Sequence, residues 1–362
     1  MKNVLVAFSG GVDSAMAALL LKEQGYCVSA AYMKNWVNEE GMFSACPWEE
    51  DILVASETAK TIGIDFQVVD FIAEYRERIV QYLIEGYRSG ITPNPDVLCN
   101  REMKFGLFLD YALEQGFEAV ATGHYCRSQE QPDGEICLYE GADKNKDQSY
   151  FLALVTQQQM RKAVFPLGSW TKPEVRAKAT EYNLPNANRK DSQGICFIGK
   201  IRMKDFLSHY IDDAPGLIVN TAGEVLGQHR GLHHYTLGQR RGLGIPSNTD
   251  NEYYVVVGKD LPDNRLLVAF DHTDAPGLFG QDFALHHLSF LNKPLTSECQ
   301  LLARPRYRDP AFPITFTPKA DGTTIIKFVE PQRAIAPGQV CAFYEGEQLL
   351  GGGIFLGYHQ KT

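Results

Sequence analysis

The sequence predicts an α/β fold: a doubly wound, mostly parallel sheet followed by two small β-rich domains, the last a β-barrel. Three observations predict it. Strand-like and helix-like runs alternate over the first ~125 residues, and a glycine turn joins the first strand to the first helix. From about residue 205 the pattern changes to short apolar runs separated by turn residues. Alternation with short connections is the pattern of a parallel sheet covered on both faces, with ligands outside the carboxyl ends of its strands. Many short strands between turns suit a closed or sandwiched β unit.

The elements follow in order. "NVLVAF" (3–8) reads as a buried strand, and Asp13–Gln24 as a helix stopped by Gly25. "CVSAAYM" (27–33) is a second strand; an amphipathic helix over ~49–62 stops at Gly63, before "DFQVVDF" (65–71). A helix over ~74–87 leads into the breaker-rich "SGITPNPDVLCN" (89–100). A further helix runs from near Asn100 to Gln115, and "EAVATGHY" (118–125) closes the series. Ser9–Ser14, Met33, the 94–99 loop and Gly123–His124 then share the carboxyl edge of the sheet. The glycine-rich 215–245 stretch reads as a small β unit, and "TTIIKFV" (323–329) and "QVCAFY" (339–344) as barrel strands. The boundaries expected are 1–204, 205–275 and 276–362.

Composition narrows the class. At 44% hydrophobic and 22% charged residues the chain is ordinary for a globular protein. No apolar run approaches the ~20 residues of a membrane helix, and the glycine turn at Ser9 leaves no room for a targeting peptide. A cytoplasmic protein is expected. The net charge of −9 argues mildly against a polyanionic partner, although Arg189, Lys190, Lys200, Arg202 and Lys204 form a basic island against Asp191. None of the eight cysteines forms C-x-x-C or a zinc-ribbon pair. Most are expected to be reduced, buried, small apolar residues.

"SGGVDS" (9–14) lacks the lysine of an ordinary nucleotide-hydrolysing loop. Its glycines let backbone N–H groups approach an anion, and the following helix offers its positive end. Ser9 and Ser14 add hydroxyl donors, and Asp13 is a candidate to meet a magnesium ion. Such a cradle suits pyrophosphate as a leaving group.

Two cysteines stand out by their neighbours. "TPNPDVLCNREMKF" (92–105) sets Cys99 just before a predicted helix start, beside Arg101 and Lys104, with Asp96 three residues upstream as a possible acid–base group. "RKDSQGICFIGKIRMK" (189–204) sets Cys196 among five cations, again favouring thiolate or persulfide. Cys46 lies in the acidic "SACPWEED" (44–51), which disfavours its thiolate; Cys46→Ser is expected to leave function intact.

"SGGVDS" resembles the loop of ATP pyrophosphatases, enzymes that adenylate an oxygen and release pyrophosphate within an adenine-nucleotide α-hydrolase-like fold. Together with "YMKNW", "TPNPDVLCNREMKF", "ATGHY", "NKDQSYFL", "KDSQGICFIG", "HYTLGQRRGLGI", "RYR" and "PGQ…LGGGI", it makes the whole chain similar to the tRNA-specific 2-thiouridylases. The resemblance implies ATP-dependent adenylation of O2 of wobble uridine 34 in tRNAs for Lys, Glu and Gln. It further implies sulfur delivery from a persulfide on Cys196, with Cys99 as partner nucleophile and Asp96 as acid–base residue. Either a Cys99–Cys196 disulfide releases sulfide, or the persulfide attacks C2 directly. The resemblance places ATP at Ala7, Phe8, Ser9, Gly10, Gly11, Val12, Asp13, Ser14, Met33 and Gly123, with Mg2+ accompanying it. The target base falls to Asn94, Pro95 and Asp96. Lys146, Asp147, Gln148, Arg306 and Tyr307 match tRNA contacts; His124 and Gln339 match positions implicated in tRNA or uridine recognition. The implied partners are tRNA and a sulfur-relay persulfide donor fed by a cysteine desulfurase, and a monomer is expected.

The residues themselves agree in part. "NKDQSYF" (145–151) combines cations, amides and aromatics suited to unstacked bases. "RPRYRDP" (304–310) reads equally as an RNA-contacting cluster or a salt-bridged edge strand. His233 and His234 suggest a metal, but adjacent histidines in a strand point to opposite faces, so no structural metal is expected. The acidic total predicts modest, salt-sensitive RNA affinity. A small-molecule ligase using the same loop needs an ammonia source that the sequence lacks, and a nucleotide sensor leaves both cysteines without a role.

Overall fold

Four consecutive buried residues, Val4–Ala7, make β1 (Asn3–Ala7) the centre of the first sheet. The computed structural model describes residues 2–37, 48–190, 202–246 and 252–357. α1 (Val12–Glu23) follows the glycine turn, then β2 (Cys27–Lys34), α2 (Trp48–Ile62) and β3 (Asp65–Asp70). α3 (Ile72–Tyr75) and α4 (Gln81–Arg88) are joined through a π-helical turn at Arg76–Val80. α5 (Pro95–Cys99) runs through π-helical Asn100–Leu107 into α6 (Phe108–Glu114), and β4 (Ala119–Ala121) follows.

The hairpin β5 (Cys126–Glu130) and β6 (Ile136–Glu140) comes next, then a 3-10 turn at Ser149–Leu152 and α7 (Gln157–Met160). β7 (Ala163–Val164) and α8 (Lys172–Glu181) complete the α/β unit. Its sheet runs β3-β2-β1-β4-β7, parallel throughout. α1, α2 and α8 share a core with one face of the sheet, and the helices between Ile72 and Glu114 share a core with the other. The doubly wound expectation holds.

α9 (Met203–Leu207) leads to β8 (Gly216–Asn220), β9 (Val225–His229), a 3-10 turn at Leu232–His234, β10 (Tyr254–Asp260) and β11 (Arg265–Phe270). These strands form a sheet in the order β10-β11-β8-β9. The last segment holds β12 (Phe279–Phe290), β13 (Cys299–Arg304), β14 (Phe312–Pro318), β15 (Thr324–Arg333), β16 (Val340–Glu345) and β17 (Gln348–Gly357). They pair as β12-β15-β14-β13-β16-β17, and β17 returns to β12, so a six-stranded barrel closes on itself. Closure removes the exposed edges that an open sheet would present. Its interior is aromatic, with Phe283, Phe316, Phe328, Phe343 and Phe355 each buried, worth about 1.5–3 kcal/mol apiece in transfer free energy.

Two features depart from the sequence reading. The β5–β6 hairpin extends the barrel sheet, through Leu138 opposite Leu349, although it lies in the chain between strands of the α/β unit. Cys27 is exposed at the start of β2, so it is not the buried filler its strand suggested. Cys126, Cys137 and Cys341 are buried, and burial pushes each thiol above its ordinary pKa. Among the described residues no helix is long and apolar enough to cross a membrane.

Candidate nucleotide and thiol site

At the carboxyl end of β1 the chain turns through Ser9, Gly10 and Gly11. Gly10 has φ +76°, and a Cβ there would stand 2.8 Å from the Asp51 carbonyl oxygen, so the turn needs glycine for both reasons. Gly11 caps α1 in extended conformation without a side-chain partner, leaving first-turn N–H groups for an external acceptor. Ser14 is buried; its hydroxyl donates to the Gly11 carbonyl at 3.0 Å and accepts from the Ser9 N–H at 3.2 Å. It staples the loop, while Ser9 is exposed at its tip. Asn186 Nδ2 and Arg189 Nη1 donate to the Gly10 carbonyl at 3.0 and 3.4 Å, and Arg189 also pairs with Asp51.

The lysine that the loop lacks arrives from elsewhere. Lys172, at the start of α8, places Nζ 2.6 and 2.8 Å from the two Asp13 carboxylate oxygens, and the Tyr125 hydroxyl donates to Oδ1 at 2.8 Å. α8 begins there because Thr171 and Glu174 form a capping box around Lys172-Pro173. Gly123 packs on the same loop: a Cβ there would lie 2.7 Å from the Asp13 carbonyl carbon and 2.8 Å from the Ser14 nitrogen. Ala7, Phe8, Val12 and Met33 are buried around the cradle and shape it. Both Asp13 oxygens thus face the Lys172 ammonium, and Oδ2 keeps a further lone pair that a magnesium ion would use. Lys172 was missed, and nothing local in "SWTKPEV" announces its partner.

The second cluster surrounds α5. Asn94 caps it, its side-chain oxygen accepting from the Val97 N–H at 3.3 Å, and Pro95 takes the first helical position. The helix therefore starts five residues earlier than predicted, and its positive end falls on Asp96 rather than on Cys99. Cys99 is the last residue of α5 and is fully buried, whereas Asp96 is partly exposed. Asn100 Nδ2 donates to the Asp96 carbonyl at 3.0 Å and to the Phe151 carbonyl at 3.3 Å.

All three structural units meet at this loop. The barrel holds it through Thr92 N–H to the Pro337 carbonyl at 2.8 Å and Gln339 Nε2 to the Thr92 carbonyl at 2.7 Å. The Thr236 and Thr92 hydroxyls lie 3.3 Å apart, which brings in the connection between the 3-10 turn and β10 of the central unit. Asn94 Nδ2 reaches the Tyr150 hydroxyl at 3.4 Å, which itself donates to the Val340 carbonyl at 2.8 Å. Tyr307 lies on Phe151 with centroids 4.3 Å apart, and 6.1 Å from Tyr150. Half-buried rings beside Asn94 and Asp96 offer stacking surface for a flat group.

Several expected RNA contacts face inward. Asp147 is buried and accepts from the Gly141 N–H, the Ser149 N–H and hydroxyl, and Arg304 at 2.9 Å. Gln148 accepts from the Tyr125 N–H at 3.2 Å, and Lys146 beside it is half-buried. Arg306 donates to the Arg333 and Ala334 carbonyls of the barrel. His124 is buried, with Nδ1 2.7 Å from the Thr122 hydroxyl; burial, then the Lys104 charge, pushes its pKa well below the ordinary value. His233 and His234 lie in the 3-10 turn, not a strand, and their rings stand 4.0 Å apart on one side. The opposite-faces argument therefore does not apply. Cys196 and Cys46 lie outside the described residues, and among the described residues no disulfide is formed.

A nucleotide-type α/β domain carrying a glycine cradle, followed by two β units, defines a three-part nucleotide-binding type of protein. The family described as tRNA methyl transferase HUP domain matches residues 2–200. The companion PRC-barrel and aminomethyltransferase β-barrel domains match 204–270 and 280–355. The tRNA-specific 2-thiouridylase MnmA of Akkermansia muciniphila is 55% identical over 98% of this chain and 99% of its own length. That of Streptococcus sanguinis is 46% identical over 97% and 94%. The chain belongs to the tRNA-specific 2-thiouridylase family.

Proposed function

We propose that this chain replaces O2 of uridine 34 with sulfur in tRNAs for Lys, Glu and Gln, consuming ATP and releasing AMP and pyrophosphate. The observation that carries this reading is the convergence of all three units on Thr92–Cys99, with a carboxylate, a thiol and stacking rings gathered there. The glycine cradle, Lys172 and Gly123 bind the nucleotide, with the helix end and Lys172 drawing charge onto the leaving pyrophosphate. A magnesium ion accompanying the phosphates would supply further charge neutralisation, and Asp13 would be its nearest carboxylate as well as the residue that orients Lys172. Uridine 34, unstacked from its anticodon loop, lies against Tyr307 and Phe151, and Asn94–Asp96 meets its edge. Lys146, the Arg306 segment and Gln339 shape the surface that receives the RNA.

Adenylation makes O2 a leaving group. The sulfur comes from a persulfide on Cys196, loaded by a relay protein fed by a cysteine desulfurase. The sulfane sulfur is reduced to the sulfide level as Cys99 and Cys196 are oxidised to a disulfide, and AMP leaves with the original oxygen. Asp96 moves the proton. An external thiol reductant then restores both cysteines. Sulfide release and direct persulfide attack differ only in whether the disulfide forms before or after the C–S bond. The chain acts as a cytoplasmic monomer, with residues 1–204, 205–275 and 276–362 as its working units.

The test uses unmodified tRNA-Glu transcript, labelled ATP, Mg2+ and a persulfide source, with 2-thiouridine and AMP measured together. Both products, lost in Cys196→Ser and in Cys99→Ser, are expected. AMP formed without RNA, and no thiolation, would instead identify a small-molecule ligase.

A further inference from the structure

The 3-10 turn at Leu232–His234 brings two imidazoles and a carboxylate to one point. His234 Nε2 lies 2.7 Å from Asp213 Oδ1, and His233 Nε2 lies 4.0 Å from the same oxygen. All three candidate ligand atoms fall within 4.8 Å of one another. His233 is only 6% exposed, and its Nε2 has no hydrogen-bond partner among the described residues. Burying a polar atom without a partner is unfavourable, so the turn carries a penalty that a ligand would relieve. Asp213 is exposed to solvent, which gives an ion a route in and leaves room for water.

We propose that Asp213, His233 and His234 form a binding site for a zinc-type divalent ion, unrelated to the nucleotide and thiol site. Two nitrogens and one oxygen suit zinc or a neighbouring late first-row metal better than magnesium or calcium. Bond lengths near 2.0–2.2 Å put tetrahedral ligand atoms roughly 3.3 Å apart. The observed 2.7 and 4.0 Å separations straddle that value, so small side-chain rotations complete the site. The ion takes the place of the proton shared between His234 and Asp213, which is released on binding. Arg230 Nε donates to Asp213 Oδ2 at 2.7 Å, which orients the other oxygen toward the imidazoles as an outer partner does. The charges of Arg230 and Lys259, both felt at His233, oppose a cation and make the site weaker than an isolated set of the same ligands.

The position gives the ion a structural consequence. Asp213 lies in the connection from α9 to β8, so the ion clips that connection to the turn preceding Tyr235 and Thr236. The same connection is held to α4 by Arg88 Nη2, which donates to the Tyr210 carbonyl at 2.7 Å.

The experiment titrates Zn2+ into the chelator-treated, thiol-alkylated full chain against a chromophoric competitor. The same titration is run on His233→Asn, His234→Gln and Asp213→Asn, with circular dichroism checking that each is folded. One ion per chain in the parent, lost in the folded variants, is expected; equal uptake by parent and variants overturns the proposal. Anomalous diffraction at the zinc edge from parent crystals needs no variant. A peak between the three side chains supports the site, and peaks only elsewhere, or none, overturn it.

Discussion

Lys172→Met removes the cation that closes the glycine loop, and the structure sets the scale of the loss. Lys172 Nζ contacts both Asp13 oxygens at 2.6 and 2.8 Å, with 14% and 28% side-chain exposure. Hydrogen bonds to charged groups contribute about 1.5–3 kcal/mol each. Partial exposure, and the Tyr125 hydroxyl that still serves Asp13, bring the net to about 2 kcal/mol for the pair. The chemical step should lose more. A preorganised donor aimed at developing charge contributes about 10²–10³ in kcat, so AMP and 2-thiouridine formation should fall together by about that factor. The assay is single-turnover AMP release from labelled ATP with tRNA-Glu transcript, paired with urea unfolding of the same protein. Lys172→Arg keeps the charge but not the compact ammonium and should recover stability more fully than rate. A Lys172→Met protein that loses about 2 kcal/mol yet turns over within threefold of the parent would refute the reasoning. The lysine would then be a strut for Asp13 with no part in the chemistry.

Gly123→Ala drives a methyl group against backbone, 2.7 Å from the Asp13 carbonyl carbon; overpacking of about 1–3 kcal/mol should raise the KM for ATP tenfold or more in steady-state titrations, with tRNA affinity in filter binding unchanged. His124 is held well below its usual pKa by burial first and Lys104 second. It therefore stays neutral in the folded chain while the unfolded chain takes up a proton below about 6.5. Stability is therefore full above about 6.5 and lost as the pH drops below it, by up to about 1.36 kcal/mol per unit, and urea unfolding at pH 7.5 and 5.5 should show a shallower dependence in His124→Gln. Gln339→Leu strands the Thr92 carbonyl it serves at a cost of about 1–3 kcal/mol; hydrogen exchange should quicken at residues 91–97 and leave the glycine loop unchanged. Arg304→Met leaves Glu140 and Asp147 without their shared cation, which should cost about 3–5 kcal/mol in unfolding experiments while the KM for ATP stays constant.

What the sequence disclosed was local. β1, the glycine turn and α1 were legible because an apolar run, two glycines and a periodic helix lie within twenty consecutive residues, and the observed Val12–Glu23 differs from the expectation by one residue at each end. The start of α5 was misplaced because Pro93, Asn94 and Pro95 read as breakers, although an asparagine before proline is also a cap followed by a first helical residue. That misreading gave Cys99 a helix N-terminus that belongs to Asp96. Residues whose roles depend on distant partners were not legible. Lys172 meets Asp13 across 159 positions, Leu138 finds Leu349 in the barrel, and Arg306 spends its donors on barrel carbonyls. In the polar "NKDQSYF" motif, Asp147 has a cationic partner, Arg304, that no local pattern announces.

The ties around Thr92–Cys99 bear on how RNA and nucleotide communicate. Pro337, Gln339 and Val340 of the barrel and Thr236 of the central unit hold the loop or its Tyr150 support, so a load on either β unit reaches Asp96 and Cys99 through few bonds. The glycine cradle is tied elsewhere: Asn186 and Arg189 hold Gly10, and Lys172 holds Asp13. Residues 191–201, which include Cys196, connect these two regions in the chain. Arg189 precedes them at the cradle, and α9 follows them with Phe206 in the same core as Cys99 and 5.9 Å from Trp36. On the proposed mechanism, a nucleotide acts on one anchor of this connection and docked tRNA on the frame around the other. Coupling between the two ligands then adds to their direct meeting at uridine 34, and by linkage it is reciprocal. ATP should tighten tRNA binding by the same factor by which tRNA tightens ATP. A common factor near one would sink the coupling, and unequal factors would mean that turnover was being read in place of equilibrium binding.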